Sequence, residues 1–162
     1  MTDEPSGNVD AWGRHLRSTT TRCLHVARPG DSVVRGVTTT AKNLGMRVFL
    51  LDGSRIADKA TLMEEVTRVI RAPEWFGQNW DALLDSLRDL SWVPADAYII
   101  LWTSADRLAR DSPLDFETFV GVLIDAATRW RRSSVPFHII LLGDEALRGA
   151  LRLVADEALC EH

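Results

Sequence analysis

The stretch Pro73–Leu90 reads P-E-W-F-G-Q-N-W-D-A-L-L-D-S-L-R-D-L and carries clear start and stop signals for local structure. Its first six residues, Pro73–Gln78, contain proline and glycine and predict a loop. Asn79 is a favoured helix N-cap residue. The sequence therefore predicts a helix that begins at Trp80 and runs to Leu90.

Helical spacing divides this predicted helix into an apolar face and an acidic face. The apolar face carries Trp80, Leu83, Leu84, Leu87 and Leu90. The opposite face carries Asp81, Asp85 and either Arg88 or Asp89. Loop and helix together hold four acidic residues and one arginine, which accounts for −3 of the chain's formal charge of −4.

The acidic face has three interpretations. It is a solvated helix surface, a carboxylate pair for general acid–base catalysis, or an acidic surface for a basic partner. Catalysis requires environments that separate the pKa values of the two carboxylates, and an exposed helix face rarely supplies them. Binding is favoured by the loop Trp75-Phe76-Gly77, because aromatic side chains add contact area beside the charges.

Outward from this helix, continuous apolar runs predict buried strands. They lie at Val48–Leu51, Ala97–Trp102 and Phe137–Leu142. Helical patterns run from Asp58 to about Arg71 and from Pro113 to about Arg131. In the first, we expect Glu64, Glu65 and Arg68 on the outside. Apolar strands that alternate with helices predict an α/β fold with a small parallel sheet of three core strands covered by helices.

The ends of the chain extend this core. Residues 1–8 are polar and predict a disordered terminus. Residues 9–45 predict an extension with a helix at Val9–Arg17, a strand at Thr21–Ala27 and a helix at Val33–Asn43 capped by Asp31 or Ser32. We expect its strand to be the fourth of the sheet. Residues 46–143 form the expected core domain, and residues 144–162 a C-terminal helix.

Composition excludes several classes of protein. The 162 residues include 19 Lys and Arg against 23 Asp and Glu, which argues against general nucleic-acid binding. The apolar runs are shorter than the ~18–20 residues that span a bilayer. The first 20 residues show no secretory signal. Cys23 and Cys160 have no CxxC spacing, so we expect no disulfide framework or zinc site, and a reducing cytoplasmic location.

Signals for catalysis or cofactor binding are weak. No nucleophile elbow, phosphate-binding loop or dinucleotide fingerprint follows any predicted strand. The four histidines lack metal-ligand spacing, and we expect His25 and His138 to be packed in strands. Cys23 and His25 would point the same way from one strand but lack an orienting third group. We therefore expect no enzyme, no cofactor and no metal.

The segment Glu74–Leu87, E-W-F-G-Q-N-W-D-A-L-L-D-S-L, resembles the signature of the barstar family of ribonuclease inhibitors. That family carries an aromatic pair, Gly, a polar residue, Asn, and then D-A-L-x-D-x-L. Val48–Gly53 and Asp58–Pro73 resemble its first strand and first helix. Asp125-Ala126, followed by Phe137–Leu142, resembles its later helix and last strand. The likeness spans about 46–143.

The resemblance implies an inhibitor that presses an acidic helix and the preceding loop into a ribonuclease active site. It places Asp81 and Asp85 where substrate phosphates sit, and Trp75 against a catalytic histidine. Asp125 would be a further acidic contact. The residues it assigns to partner binding are Trp75, Phe76, Gly77, Asn79, Asp81, Asp85 and Asp125.

The resemblance also implies the kind of complex. We expect a monomer that binds one extracellular-type ribonuclease or nuclease toxin with a basic active site, in the manner of an immunity or antitoxin protein, without membrane or direct nucleic-acid binding. The alternative is an interaction module of the same fold whose basic partner is not a nuclease.

Overall fold

The computed structural model describes residues 9–17 and 23–159. The predicted disordered terminus and the first residues of the predicted strand Thr21–Ala27 lie outside this part of the chain. The elements within it are α1 (Val9–Arg17), β1 (Leu24–Ala27), α2 (Asp31–Asn43), β2 (Arg47–Asp52), a 3-10 turn (Gly53–Arg55), α3 (Lys59–Ile70), α4 (Trp80–Asp89), β3 (Tyr98–Thr103), α5 (Ala105–Asp111), α6 (Pro113–Arg132), β4 (Phe137–Leu142) and α7 (Glu145–Leu159).

The four described strands form one parallel sheet in the order β1-β4-β3-β2. β1 lies beside β4, with Leu24 opposite Ile139. β2 lies at the other edge and pairs with β3 over its whole length, from Arg47 opposite Tyr98 to Asp52 opposite Thr103. The predicted α/β class is confirmed, and the extension supplies the fourth strand as expected.

Both faces of the sheet are covered by helices. Helices α3 to α7 cover one face, where the core includes Phe49, Leu62, Leu83, Leu87, Tyr98, Trp102, Phe119, Leu123, Ile139 and Leu147. Helices α1 and α2 cover the other face, where the core consists of Trp12, Leu16, Ala27, Val37, Ala41, Ile99, Leu101, Ile140 and Leu142. The extension therefore closes a face that the core strands would otherwise leave exposed.

A capping box explains where helix α3 begins, whereas α2 begins without a side-chain cap. Asp58 accepts a hydrogen bond from the Thr61 N–H at 2.9 Å, while the Thr61 hydroxyl accepts one from the Asp58 N–H at 3.1 Å. The Thr61 N–H, together with the Thr61 hydroxyl at 2.8 Å, donates to the Asp58 carboxylate, and these two hydrogen bonds lower the pKa of Asp58. The expected start of α2 was wrong. Gly30 is its N-cap and makes no side-chain hydrogen bond, and the helix already includes Asp31.

Helix α5 was not predicted. It follows β3 at once, through Ser104 in the left-handed region at φ 48°, and has seven residues. Only Ala105 and Leu108 are buried in it, so its apolar pattern is too short to reveal a helix. Within the helix Arg110 pairs with Asp106 at 2.8 Å, and it ties the helix to Asp144, just before α7, at 3.0 Å.

Glu65 was expected on the outside of α3 but is buried, with its side chain 4% exposed. Its carboxylate accepts the backbone N–H of Asp52 at 3.2 Å and pairs with Arg68 at 2.5 Å. Burial alone would raise the pKa of Glu65, but the hydrogen bonds from Arg68 and Asp52 outweigh it and hold that pKa below its ordinary value. Burial is tolerated because the charge is paired.

The predicted turn at Asp52 and Gly53 is a 3-10 turn capped by Asp52, which accepts the Ser54 N–H at 3.0 Å. A Cβ atom at Gly53 would lie 2.0 Å from the Thr103 carbonyl oxygen. Glycine is therefore needed for the close approach of this turn to the end of β3.

Candidate protein-binding site

Helix α4 is held at its start by its cap and at its end by a tryptophan. The Asn79 side-chain oxygen accepts the Ala82 N–H at 2.8 Å, which confirms the predicted cap. The Trp130 indole N–H, from α6, donates to the Leu87 carbonyl at 2.7 Å. These contacts, together with buried Leu83 and Leu87, give α4 a defined orientation on the domain.

The acidic face of α4 is exposed, as its spacing predicted. Asp81, Asp85, Arg88 and Asp89 are all exposed. No ion pair from the described residues engages Asp81 or Asp85. Two carboxylates one helical turn apart are thus presented to solvent with their charge uncompensated by a fixed neighbour.

The loop before α4 presents Trp75 outward. Its side chain is 72% exposed, so most of the indole is available to a partner. Phe76, by contrast, is half-buried against the core, and its N–H donates to the Pro73 carbonyl at 2.9 Å. The two aromatic residues therefore differ: the Trp75 side chain faces solvent, whereas the Phe76 side chain packs against the core and anchors the loop.

Trp92, which was not among the predicted site residues, supports Trp75. The two rings meet edge-on with centroids 6.2 Å apart at 87°. The Trp92 indole N–H donates to the Ile70 carbonyl at 2.9 Å, at the end of α3. Trp92 lies in the link after α4, so no sequence-local pattern connected it to Trp75.

The remaining predicted residues lie in the loop before α4 or on α6 beside it. The Gly77 carbonyl accepts the Asn79 backbone N–H at 2.9 Å. A Cβ atom at Gly77 would lie 3.1 Å from the side-chain amide nitrogen of Asn79. Asp125 is exposed on α6, which packs along α4. Lys59 adds a cation near the start of α4, with its ammonium 5.4 Å from the centre of the Trp80 ring.

The acidic face of α4 lies apart from the groove found elsewhere on the described residues. A shallow open groove of about 800 Å³ lies between the end of α2 and the start of β3, lined by residues that include Lys42, Arg47 and Asp96 and by none from α4. No cluster of three or more His, Cys, Asp or Glu side chains able to hold a metal occurs in the described part. The acidic face of α4 therefore does not line this groove.

Cys23 and His25 do not form an activated pair. Burial raises the pKa of the Cys23 thiol, which disfavours the nucleophilic thiolate. The His25 ring instead packs against His138, with centroids 5.6 Å apart, and edge-on to Trp12 at 6.3 Å. His138 is buried with its Nε2 3.1 Å from the Leu16 carbonyl, so both histidines are packed as expected.

Comparison with known protein families identifies the core. The family model of Barstar (barnase inhibitor) matches residues 46–142, more than half of the chain. The chain belongs to the barstar family. A search of curated proteins found no match.

The barstar-family match contains the loop and α4, and with them Trp75, Asp81 and Asp85. It also contains β2, β3 and β4, whereas α1, β1, α2 and α7 lie outside it. No described helix is long and apolar enough to cross a membrane. The exposed site therefore belongs to the barstar-family core, and the extension adds a strand and a helical layer to it.

Proposed function

We propose that this chain is a stoichiometric inhibitor of a ribonuclease, which it blocks by placing α4 and the preceding loop in the enzyme's active site. The observation that carries the proposal is the exposure of Asp81 and Asp85, without ion partners among the described residues, on the same unit as exposed Trp75. Membership of the barstar family supports the same class of partner.

The chemistry of the target explains the residue types. A ribonuclease active site must attract the phosphates of RNA, so it carries cationic side chains. Asp81 and Asp85 lie about 6 Å apart along the helix axis, and they can occupy phosphate positions while remaining on a rigid helix. Complementary charge also accelerates association and favours basic targets over others.

The surrounding residues supply contact area and shape. Trp75 is the proposed aromatic anchor against the enzyme's catalytic histidine. Gly77 and Asn79 shape the loop that would meet the base-recognition side, Phe76 anchors that loop, and Asp125 adds an outer acidic contact. This assignment follows the family resemblance residue by residue.

The proposed biological role is that of an immunity or antitoxin protein. It would act in the cytoplasm, where it would neutralise a secreted-type ribonuclease or nuclease toxin made by the same cell. In this role the chain turns over no substrate and binds the enzyme rather than RNA.

The test is to add increasing amounts of this chain to small nucleases encoded in the same genome while each nuclease cleaves a fluorogenic RNA. We expect activity to fall linearly to zero at one equivalent, and Asp85→Ala to weaken inhibition. Asp96→Ala, an exposed aspartate outside α4, is the matched control and should inhibit normally. If no nuclease is inhibited and the chain instead captures a basic protein without nuclease activity, the interaction module is the better description.

A further inference from the structure

Helix α4 carries one exposed cation on the same face as its two exposed aspartates. At about 100° per residue, Arg88 lies about 20° from Asp81 and about 60° from Asp85 around the helix axis. All three side chains are exposed, whereas Leu83 and Leu87 are buried on the opposite side of the helix. Around the helix, Arg88 is therefore as central to the exposed face as the two aspartates are.

The charge of Arg88 is not neutralised within the described chain. In α3, two residues at i,i+3 spacing pair closely, because Glu65 and Arg68 are 2.5 Å apart. In α4, Asp85 and Arg88 have the same spacing but form no ion pair. No side-chain hydrogen bond among the described residues engages the Arg88 guanidinium either, so its charge is available to a partner.

By itself, the helix dipole does not explain the charges at the end of α4. A cation in the last turn of a helix is stabilised by the dipole, and an anion there is destabilised. Arg88 and Asp89 both lie in this last turn and carry opposite charges. Asp89 has a local contact, because its carboxylate accepts the Ser91 hydroxyl at 3.1 Å. Arg88 has no such contact among the described residues, so a role outside the chain is the better explanation.

The neighbouring helix α6 shows the same order of charges. The Trp130 indole N–H donates to the Leu87 carbonyl at 2.7 Å, so the last turns of α6 and α4 lie side by side. On α6, the exposed Asp125 is followed one turn later by the exposed Arg129. On α4, Arg88 likewise follows the exposed aspartate pair. Both helices therefore carry an exposed arginine in their adjoining last turns, next to the carboxylates of the candidate site.

Insertion of α4 into a ribonuclease active site would bury Arg88 together with the two aspartates. A cation buried in an interface without an anion costs free energy, and a cation that faces other cations costs more. A ribonuclease that cleaves RNA through the 2′-hydroxyl needs a base to remove its proton, and a carboxylate can serve beside the cations that hold the phosphate. An active site of this kind offers Arg88 an anion within reach of the same surface.

We propose that Arg88 binds an active-site carboxylate of the target ribonuclease, beside the cations that receive Asp81 and Asp85. This inference rests on the proposed function and adds an acidic group to the partner. Arg88 is about 4.5 Å from Asp85 along the helix axis, so the carboxylate must lie next to the phosphate site. The planar guanidinium can bind a carboxylate through two parallel hydrogen bonds, which fixes the register of α4. Arg88 then selects nucleases with a mixed active site over those with cations alone.

The test is the sign of the effect of Arg88→Glu on the nuclease that this chain inhibits in the fluorogenic RNA assay. A site that held only cations would be inhibited more strongly, because a repulsive charge becomes an attractive one. We expect the opposite, a loss of at least ~30-fold, because two carboxylates would face each other. Arg88→Ala should lose at least ~10-fold, and Arg88→Lys should lose less, because it keeps the charge without the planar fork.

Arg35→Glu is the matched control for the change in net charge. Arg35 is an exposed arginine on α2, the helix that covers the other face of the sheet. This variant should dissociate from the nuclease at the rate of the parent. Thermal melts of every variant show whether it is folded, and an Arg88→Ala chain that is folded and inhibits like the parent would overturn the proposal.

Amide variants of the nuclease identify its acidic group. Each Asp or Glu of its active site is changed to Asn or Gln, and surface-binding kinetics are measured, which require no catalysis. Once the correct carboxylate is removed, Arg88→Ala should have no further effect. Stronger or unchanged inhibition by Arg88→Glu would overturn the proposal and leave ribonuclease inhibition intact. An absence of any inhibited nuclease would instead overturn the proposed function, and this inference with it.

Discussion

Trp92 stands edge-on against Trp75, with the ring centroids 6.2 Å apart and the planes at 87°. Trp92 is itself fixed by its hydrogen bond to the Ile70 carbonyl at 2.9 Å, so the end of α3 indirectly positions an exposed aromatic side chain. This support reduces the conformational entropy that Trp75 would lose on binding a partner. A rigid presented tryptophan is therefore a better anchor than a mobile one.

Trp92→Phe should show whether Trp92 restrains Trp75 for partner binding or only stabilises the fold. The variant keeps an aromatic ring beside Trp75 but loses the N–H donor. We therefore expect the free energy of unfolding to fall by about 1 kcal/mol. The partner should also dissociate faster, because Trp75 is less restrained. Chemical denaturation and surface-binding kinetics measure the two effects.

Thr103→Val is the matched control, because it removes a comparable side-chain hydrogen bond, from the Thr103 hydroxyl to the Leu51 carbonyl at 3.2 Å. This hydrogen bond joins β3 to β2 and is not among the contacts that hold α4 or Trp75. We expect a similar loss of stability with a smaller change in dissociation rate than in Trp92→Phe. Equal changes in both variants would show that Trp92 acts only on stability.

Asp85→Ala should weaken ribonuclease inhibition by at least ~30-fold, about 2 kcal/mol. That size is typical of truncating a desolvated charge pair, and the family's best-known complex is among the examples from which it is taken. Folded stability should stay the same or rise slightly, because Asp85 is flanked by Asp81 and Asp89 at helical spacing. Inhibition constants beside a thermal melt measure both quantities.

Asp89→Ala, on the last turn of the same helix, should act differently from Asp85→Ala. Asp89 lies nearer the rim, so we expect slower association with weaker salt dependence and little change in dissociation. Stopped-flow association at several salt concentrations distinguishes the two variants. An Asp85→Ala chain that inhibits like the parent, or that is unfolded, would contradict the assignment of α4 as the inhibitory helix.

Removal of the extension should destabilise the fold but spare partner binding. A chain that begins at Met46 exposes Ile99, Leu101, Ile140 and Leu142, which α1 and α2 otherwise cover. The single change Trp12→Ala, at a residue that is fully buried, should by itself cost about 3–5 kcal/mol. Denaturant unfolding and inhibition assays check the two parts, and a truncated chain as stable as the full one would contradict the prediction.

The stability of the fold should decline in acid through Glu65. The pKa values of Asp52, Asp58 and Glu65 are all lowered in the folded state from ordinary values of 3.8, 3.8 and 4.5. The unfolded chain therefore takes up protons first as the pH falls. Their contribution is complete above about pH 5 and is lost progressively below it.

Glu65→Gln should make this decline shallower, because one of the three carboxylates no longer titrates. It should also lower stability at neutral pH, since the ion pair with Arg68 is lost. Glu64→Gln is the matched control, because the Glu64 side chain is exposed and makes no ion pair with the described residues, and it should keep the parent's stability at neutral pH. Thermal melts from pH 7 to about pH 3 provide the comparison. A Glu65→Gln profile parallel to that of the parent would refute this role.

Local signals predicted much of the fold and of the site. Asn79 caps α4 as expected, because a cap acts within three residues of itself, and α3 begins at the predicted Asp58. Strand β4 occupies the predicted Phe137–Leu142, and the exposed aspartates of α4 follow from helical spacing. Helix α5 escaped prediction because its seven residues bury only Ala105 and Leu108.

By itself, the sequence determined the parallel α/β class, the acidic face of α4 and the membership of the barstar family. Hydrophobic periodicity, caps and motifs are properties of neighbouring residues, so they can be recognised without coordinates. Only the tertiary structure decided that β1 pairs with β4, that Trp92 supports Trp75, and that Glu65 accepts the backbone N–H of Asp52. Each of these joins residues far apart in the chain, and their meeting depends on how the whole sheet and its helices pack.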